Sequence, residues 1–526
     1  MKRREFIRTI GAGAVALPMP GTPLAAEEPA PPTESLPIPS GPSSPFDVGG
    51  RAQLFIDRLA VLDADRVSFT LHPAEKHPHN PLLIADRPWE GWRLEMFGNL
   101  LYDDEERLFK MWYLGADDPA WFPDSMTLYA TSHDGIKWDK PLDGTLPCPK
   151  SGRKTNAVAR CQLASVMKDL HDPDPERRYK MICWIEHEAS YQTMISPDGL
   201  HWTQLSGKPI CTGRDVVTGY YDEQRHVYVA FAKIMTDWRG YNRRVFYLTT
   251  SNDFKHWTAP QMVLAPDWRD DAGSLARIEE ARPLLDVPDD PQLIRTEFYG
   301  VGAYLHESCV LTFPWVFTIN NRARYDSRNQ EGPFELQLAV SRDLTQWERP
   351  FRTPCLSRGK SGEWDSGLFT TPSRALRVGD EIWLYYTGSN YTHGTPCLYR
   401  AEGTGRGTKY TASIGLAKWK LDRFVSVDGP AEGGSLITVP IIFSGERLEI
   451  NARVKPGGSV RVEAQDAAGR AIEHFGPSDV FAGDDIRHTV TWHEDPAVSR
   501  LAGKPIRLKF HLKNGELYSY AFRGKS

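Results

Sequence analysis

A seven-residue phrase that returns along the chain constrains the fold more than any other feature. It reads serine, any residue, aspartate, a turn residue, two more, then tryptophan. It stands at Ser132–Trp138, Ser196–Trp202, Ser251–Trp257 and Ser341–Trp347. Gly135 and Gly199 follow the aspartate in the first two copies, Phe254 and Leu344 in the next two. This is hairpin chemistry, because aspartate caps the amides that follow it and glycine accepts positive φ. The tryptophan then opens a strand and offers a flat face for packing. The aspartates Asp134, Asp198, Asp253 and Asp343 therefore read as turn caps rather than catalysts. A degenerate fifth copy at Ser413–Trp419 keeps the serine and tryptophan and lacks the aspartate. Repeats several strands long predict a β-propeller, and five copies predict five blades.

The stretches between the copies agree with that. Each blade opens with an apolar inner strand, turns through acidic residues and returns in an aromatic strand, as in Met96–Tyr102 and Leu108–Tyr113. From about Gly429 the texture changes to alternating strands such as Leu448–Val454 and Ile506–Leu512. The expected fold is all-β: a five-bladed propeller over 47–428 followed by a small antiparallel β-sandwich over 429–526.

The N-terminus predicts export. Lys2-Arg3-Arg4 opens a twin-arginine pattern, a short apolar run follows, and Leu24-Ala25-Ala26 offers a small-residue exit. Residues 1–26 read as this signal and 27–46 as a Pro/Ser-rich flexible leader, which places the protein in the periplasm or outside the cell. No apolar stretch is long enough to span a bilayer, so membrane insertion is not expected. The formal net charge of −5 argues against a nucleic-acid partner. Seven scattered cysteines show neither disulfide pairing nor metal spacing, and no metal or other cofactor is expected. The chain is expected to act as a monomer or small homo-oligomer.

Chemistry in a propeller belongs where inner strands converge. Four acids stand at the starts of such strands: Glu95, Asp215, Glu297 and Asp365. Turns do not need them there, and several carboxyls facing one channel would shift one another's pKa. Glycosidic cleavage uses such a set, one carboxyl protonating the leaving oxygen while another activates water or attacks carbon. Glu297, beside Phe298 and Tyr299, is expected to have a raised pKa and to act as the general acid. Asp215, beside Arg214, is expected to stay ionised as base or nucleophile. Trp89 and Trp92 could form a sugar platform, and Arg214, Asn320, Arg322, Asn390 and His393 could clamp hydroxyls.

Five blades, these hairpins and the acids at inner-strand starts resemble the five-bladed propeller glycoside hydrolases of families 32 and 43, the invertase-like and arabinanase-like enzymes. Arg214-Asp215 is similar to their Arg-Asp element, Glu297 matches their acid, and Glu95 stands where blade one of those enzymes has an aspartate. The resemblance implies an exported, exo-acting glycosidase with a carbohydrate substrate. The alternatives are a non-catalytic carbohydrate-binding propeller and a glycoside phosphorylase.

Overall fold

The computed structural model of the protein describes residues 45–91, 93–115, 126–185, 188–205, 208–324, 329–394 and 411–524. Five β-sheets form the blades, as the repeats predict. Their inner strands are Glu95–Asp103, Gln162–Lys168, Val217–Asp222, Arg295–Leu305 and Leu368–Thr370. Within a blade the strands are antiparallel, whereas neighbouring inner strands run the same way, as the parallel bridge between Ala303 and Arg374 shows. Small polar side chains stitch these strands across the channel. Ser165 Oγ donates to the carbonyl of Val217 at 3.0 Å and shares a 2.5 Å hydrogen bond with Ser373. The second strands are packed on both faces. Val310–Ile319 is buried at every residue, which is why it reads as a continuous apolar run rather than an alternation.

The recurring hairpin is built as its residues require. Asp134 Oδ1 accepts from the amides of Ile136 (2.7 Å) and Lys137 (2.8 Å), and Ser132 Oγ accepts from Gly135 N at 2.8 Å. Asp198, Asp253 and Asp343 make the equivalent pair of bonds. The residue after each aspartate is left-handed, with φ of +70° at Gly135, +79° at Gly199, +63° at Phe254 and +69° at Leu344. Each hairpin also joins two blades. Tyr385 of blade five donates to the carbonyl of Gly135, and Trp112 Nε1 of blade one donates to that of Gly199 at 2.8 Å. A Cβ on Gly135 would lie 2.6 Å from the Trp383 ring, and one on Gly199 2.8 Å from Trp112. In the other two copies the side chain itself fills the joint, Phe254 and Leu344 being buried.

The degenerate fifth copy is not a hairpin. Ser413–Trp419 lies inside a strand, Ala412–Lys420, the third of blade five. Without the aspartate nothing caps a turn there, and Trp419 is instead buried with its N–H on the carbonyl of His72 at 2.8 Å. Five blades were counted correctly, but the fifth copy was not the reason. Blade five takes its outermost strand, Glu75–Lys76, from far upstream, and this closes the ring.

The second unit is a ten-stranded mixed sheet drawn from both ends of the described chain. Gln53–Leu54, Val61–Asp65 and Ser68–Leu71, which the sequence groups with the propeller, and Phe46–Gly49, which straddles the expected end of the leader, pair with strands that begin at Val425. The long strand Ile506–Arg523 is the hub of this sheet and pairs with Arg447–Asp466 along its length and with Gln53–Leu54 from the N-terminal end. Phe55 seals the join, its ring centroid 6.1 Å from Phe510 and 5.8 Å from Tyr520. No disulfide joins the six described cysteines. No described helix is long and apolar enough to cross a membrane.

Candidate active site

All four acids singled out from the sequence sit where the inner strands begin, so the parallel arrangement of those strands sets them at one mouth of the ring. They form separate groups there. Asp215 and Glu297 share one cluster, whereas Asp365 and Glu95 are held by other cations.

Asp215 precedes Val217–Asp222 and adopts φ +43°, a left-handed conformation that aspartate tolerates better than most residues. Its Oδ1 accepts from the amide of Val216 at 2.7 Å. Lys233, from the second strand of blade three, forms an ion pair with the same carboxylate. The Lys233 side chain is 2 % exposed and that of Asp215 31 %, so the carboxylate is the member that meets solvent. The ammonium also lies 3.7 Å above the ring of Tyr299, whose hydroxyl donates to Asp215 Oδ2 at 3.4 Å.

Glu297 lies two residues before Tyr299 on the same inner strand and is fully buried. Arg244 crosses from the third strand of blade three to one oxygen, and Arg295 Nε holds the other at 2.8 Å. Arg244 also reaches Gln330 Oε1 at 2.8 Å and lies 4.9 Å from the Tyr299 ring. His393 packs against this ring at 5.0 Å and stacks on Phe334.

These contacts fix the charges. Burial alone would raise the pKa of Asp215, but Lys233, the Val216 amide and Arg244 outweigh it and hold the carboxyl below its ordinary range. Burial likewise opposes ionisation of Glu297, and Arg244 and Arg295 again win, so its pKa falls. The raised pKa expected for Glu297 is thus overturned: its apolar neighbours matter less than two guanidinium groups in contact. Lys233 is pushed down to about 8 by burial, with Arg244 adding to the effect and Asp215 opposing it. Burial and Arg244 take His393 down to about 3, so it is neutral at neutral pH.

No protein-family model matches the chain, and comparison with curated proteins returns no match. Solved structures do align. A β-1,2-mannobiose phosphorylase from Listeria innocua is 12% identical with a TM-score of 0.42, covering 66% of this chain and 97% of its own. A glycoside hydrolase family 43 arabinoxylan arabinofuranohydrolase from Bacillus subtilis is 11% identical with a TM-score of 0.38, covering 86% of this chain and 99% of its own. An N-acetylgalactosamine deacetylase from F. plautii is 14% identical with a TM-score of 0.37, covering 68% and 96%. These likenesses concern architecture at low identity, and the functional reading is built from the side chains.

The other acids are placed differently. Asp365 is buried, accepts from Tyr386 Oη at 2.9 Å and pairs with Lys76 of the ring-closing strand at 2.6 Å. Glu95 is buried and pairs with Arg93 at 2.8 Å. Among the expected sugar contacts, Trp89 is a core residue of blade one whose indole N–H donates to Asn156 at 2.7 Å; a ring packed there cannot be a platform. Asn320 is also buried, its amide nitrogen bound to the carbonyl of Val287 at 3.1 Å and to Glu331 at 3.3 Å, so it braces a loop instead of a ligand. Trp92 lies outside the described residues. Arg214 and Arg322 are exposed, Asn390 accepts from the amide of Thr411 at 2.9 Å, and His393 joins the Asp215–Glu297 cluster.

Sequence reasoning missed Lys233, Arg244, Arg295, Tyr299 and Gln330. Two of them left a trace. Arg295 stands two residues from Glu297, the spacing that puts side chains on one face of a strand. Lys233 is the lone charge in the apolar run Val229–Ile234.

Proposed function

We propose that the protein is a carbohydrate-active enzyme that hydrolyses glycosidic bonds, exo-acting on an oligo- or polysaccharide, at the mouth where the inner strands begin. The observation that carries this reading is the Asp215–Glu297 pair, two ionised carboxylates bridged by Lys233, Arg244 and Tyr299. Buried charge of this density costs stability, and a packed apolar cluster would serve the fold better. Asp215, ionised and partly exposed, is the base or nucleophile. Glu297 touches two arginines and positions Arg244 beside Tyr299 rather than donating a proton. Glu95 and Asp365 stand at the same mouth, but each is held in an ion pair, with Arg93 and Lys76, so neither is assigned as the proton donor. In the test, purified protein is offered a panel of aryl glycosides and oligosaccharides. Asp215→Asn should lose about 10²–10⁴-fold in turnover while remaining folded. Parental activity in that variant sinks the assignment.

A second reading, glycoside phosphorolysis, is favoured by the surplus cation: Lys233, Arg244 and Arg295 face only two carboxylates. Inorganic phosphate would then accelerate cleavage and appear in the product as a sugar 1-phosphate.

We also propose that the mature protein works in the periplasm or outside the cell. Replacing both Arg3 and Arg4 by lysine should retain it in the cytoplasm, and unchanged export ends this reading.

A further inference from the structure

The inner strands end at the opposite mouth of the ring, and the terminal sheet does not plug it. A cavity of about 870 Å³ lies between them, lined on one side by residues such as Asn99, Lys168 and Tyr304 and on the other by Glu449, Asn451 and Ser519. That volume is in the range of small-molecule sites.

The wall is rich in cations, and most are matched. Lys168 is paired with Asp103 and Glu105, Arg447 with Glu449, and Arg523 with Glu307. Arg487 is paired with Asp380, and His306 with Asp422. Arg374 and Arg377, which flank the start of the blade-five strand Leu376–Val378, are different. Among the described residues neither forms an ion pair, and Arg377 spends its Nε on the carbonyl of Gly379 at 3.2 Å. Arg374 is anchored by its backbone beside Ala303, and its Nε is buried with no acceptor. The buried hydroxyl of Tyr220, near enough to interact electrostatically with Arg374, also lacks a partner. Arg374 meets the carboxylates of Glu223 and Asp222 only at longer range, and its buried Nε–H without an acceptor costs free energy that a bound oxyanion would offset.

We propose that this cavity is a binding site, separate from the Asp215–Glu297 mouth, for a small oxyanion-bearing ligand whose carboxylate or phosphate group is held by Arg374 and Arg377. Guanidinium groups bind both oxyanions through paired N–H donors. Tyr221 and Tyr304 on the same wall give the body of such a ligand an apolar face to lie against. The proposal does not depend on the chemistry at the other mouth.

The full-length protein is titrated calorimetrically with glucuronate, inorganic phosphate, glucose 6-phosphate and, as the neutral control, glucose. Saturable binding of glucuronate alone identifies a carboxylate ligand, and binding of the phosphates alone a phosphate. Binding of both supports a site for the shared oxyanion chemistry. Arg374→Gln should weaken that binding at least about tenfold, as loss of a charged hydrogen bond does, and Arg374→Lys should restore part of it. Arg377 is exposed, so Arg377→Gln tests the site even where Arg374→Gln does not fold, and it should also weaken binding. The proposal is overturned if no anion binds, if glucose binds equally well, or if Arg377→Gln and every folded Arg374 variant bind as the parent does.

Discussion

Arg244 reaches out of blade three to grip the Glu297 carboxylate of blade four, opposite Arg295 on the glutamate's own strand. A carboxylate held in this way is a poor proton donor near neutral pH. Glu297→Gln should therefore lose turnover to the same extent on activated aryl glycosides and on substrates with poor leaving groups. A loss confined to poor leaving groups would restore Glu297 as the general acid. The same change leaves two arginines without their charge partner, and melting should report a cost of about 3–5 kcal/mol.

Lys233 gives the site a basic limit. Its pKa lies near 8, so the ammonium facing Asp215 is lost as pH rises through that value, and the pH–rate profile should fall with a midpoint there. Lys233→Arg keeps its charge at all accessible pH and should move or abolish that limb; an unchanged limb removes Lys233 from the titration. Stability should move the other way. The unfolded lysine titrates near 10.4, so the unfolded chain binds the extra proton between about 8 and 10, and this residue contributes rising stability across that window.

His306 and Asp422 form an ion pair 3.3 Å long that ties blade four to the turn leading into the terminal sheet. Burial disfavours the imidazolium, yet Asp422 and Cys309 outweigh it and lift His306 to about 10. An unfolded histidine titrates near 6.5. The pair's full contribution is therefore present below about pH 6.5 and is lost as pH rises through about 10. His306→Ala should lower stability by about 3 kcal/mol at pH 6, because buried Asp422 is left with only the Ser519 hydroxyl and the more distant Arg377, and the deficit should shrink at pH 10. Equal deficits at both pH values would remove the ion pair from the account.

The hairpin aspartates predict a contrast between two substitutions. Asp134→Ala removes acceptors for two amides at a solvent-facing turn and should cost about 1–2 kcal/mol without changing turnover. Phe254→Gly removes a left-handed strain of about 1 kcal/mol but empties a buried aromatic site that is worth about 3–5 kcal/mol. The net effect on chemical denaturation should be clear destabilisation. A more stable Phe254→Gly variant would mean that the strain, not the packing, dominates that joint.

The hairpins were legible because their bonds are local: each aspartate caps amides two and three residues ahead. The positions of the four acids were legible for a similar reason, since a strand's start is marked by the turn before it. The electrostatics of Glu297 were not. They depend on Arg244, which approaches from another blade, and neither composition nor strand periodicity encodes that distance. The part taken by Phe46–Leu71 was hidden for the same reason, because its partners lie at the far end of the chain. Trp89 shows the reverse error: an aromatic at the entry to blade one was read as an exposed platform, but it sits in a short 3-10 turn, Pro88–Glu90, packed into the core.

Glu75–Lys76 completes blade five, and of the strands before it Ser68–Leu71 pairs with Val425–Gly429 and Gln53–Leu54 with Ile506–Arg523. The earliest-made strands of the described chain thus wait for strands made after residue 424 before they find their sheet. Blades one to four can assemble during synthesis, but the ring stays an open arc until the blade-five strand Ala412–Lys420 has been made. Until then the Lys76–Asp365 pair has no strand pairing to hold it, whereas the ion pairs of Asp215 and Glu297 lie within blades three and four and do not wait for closure.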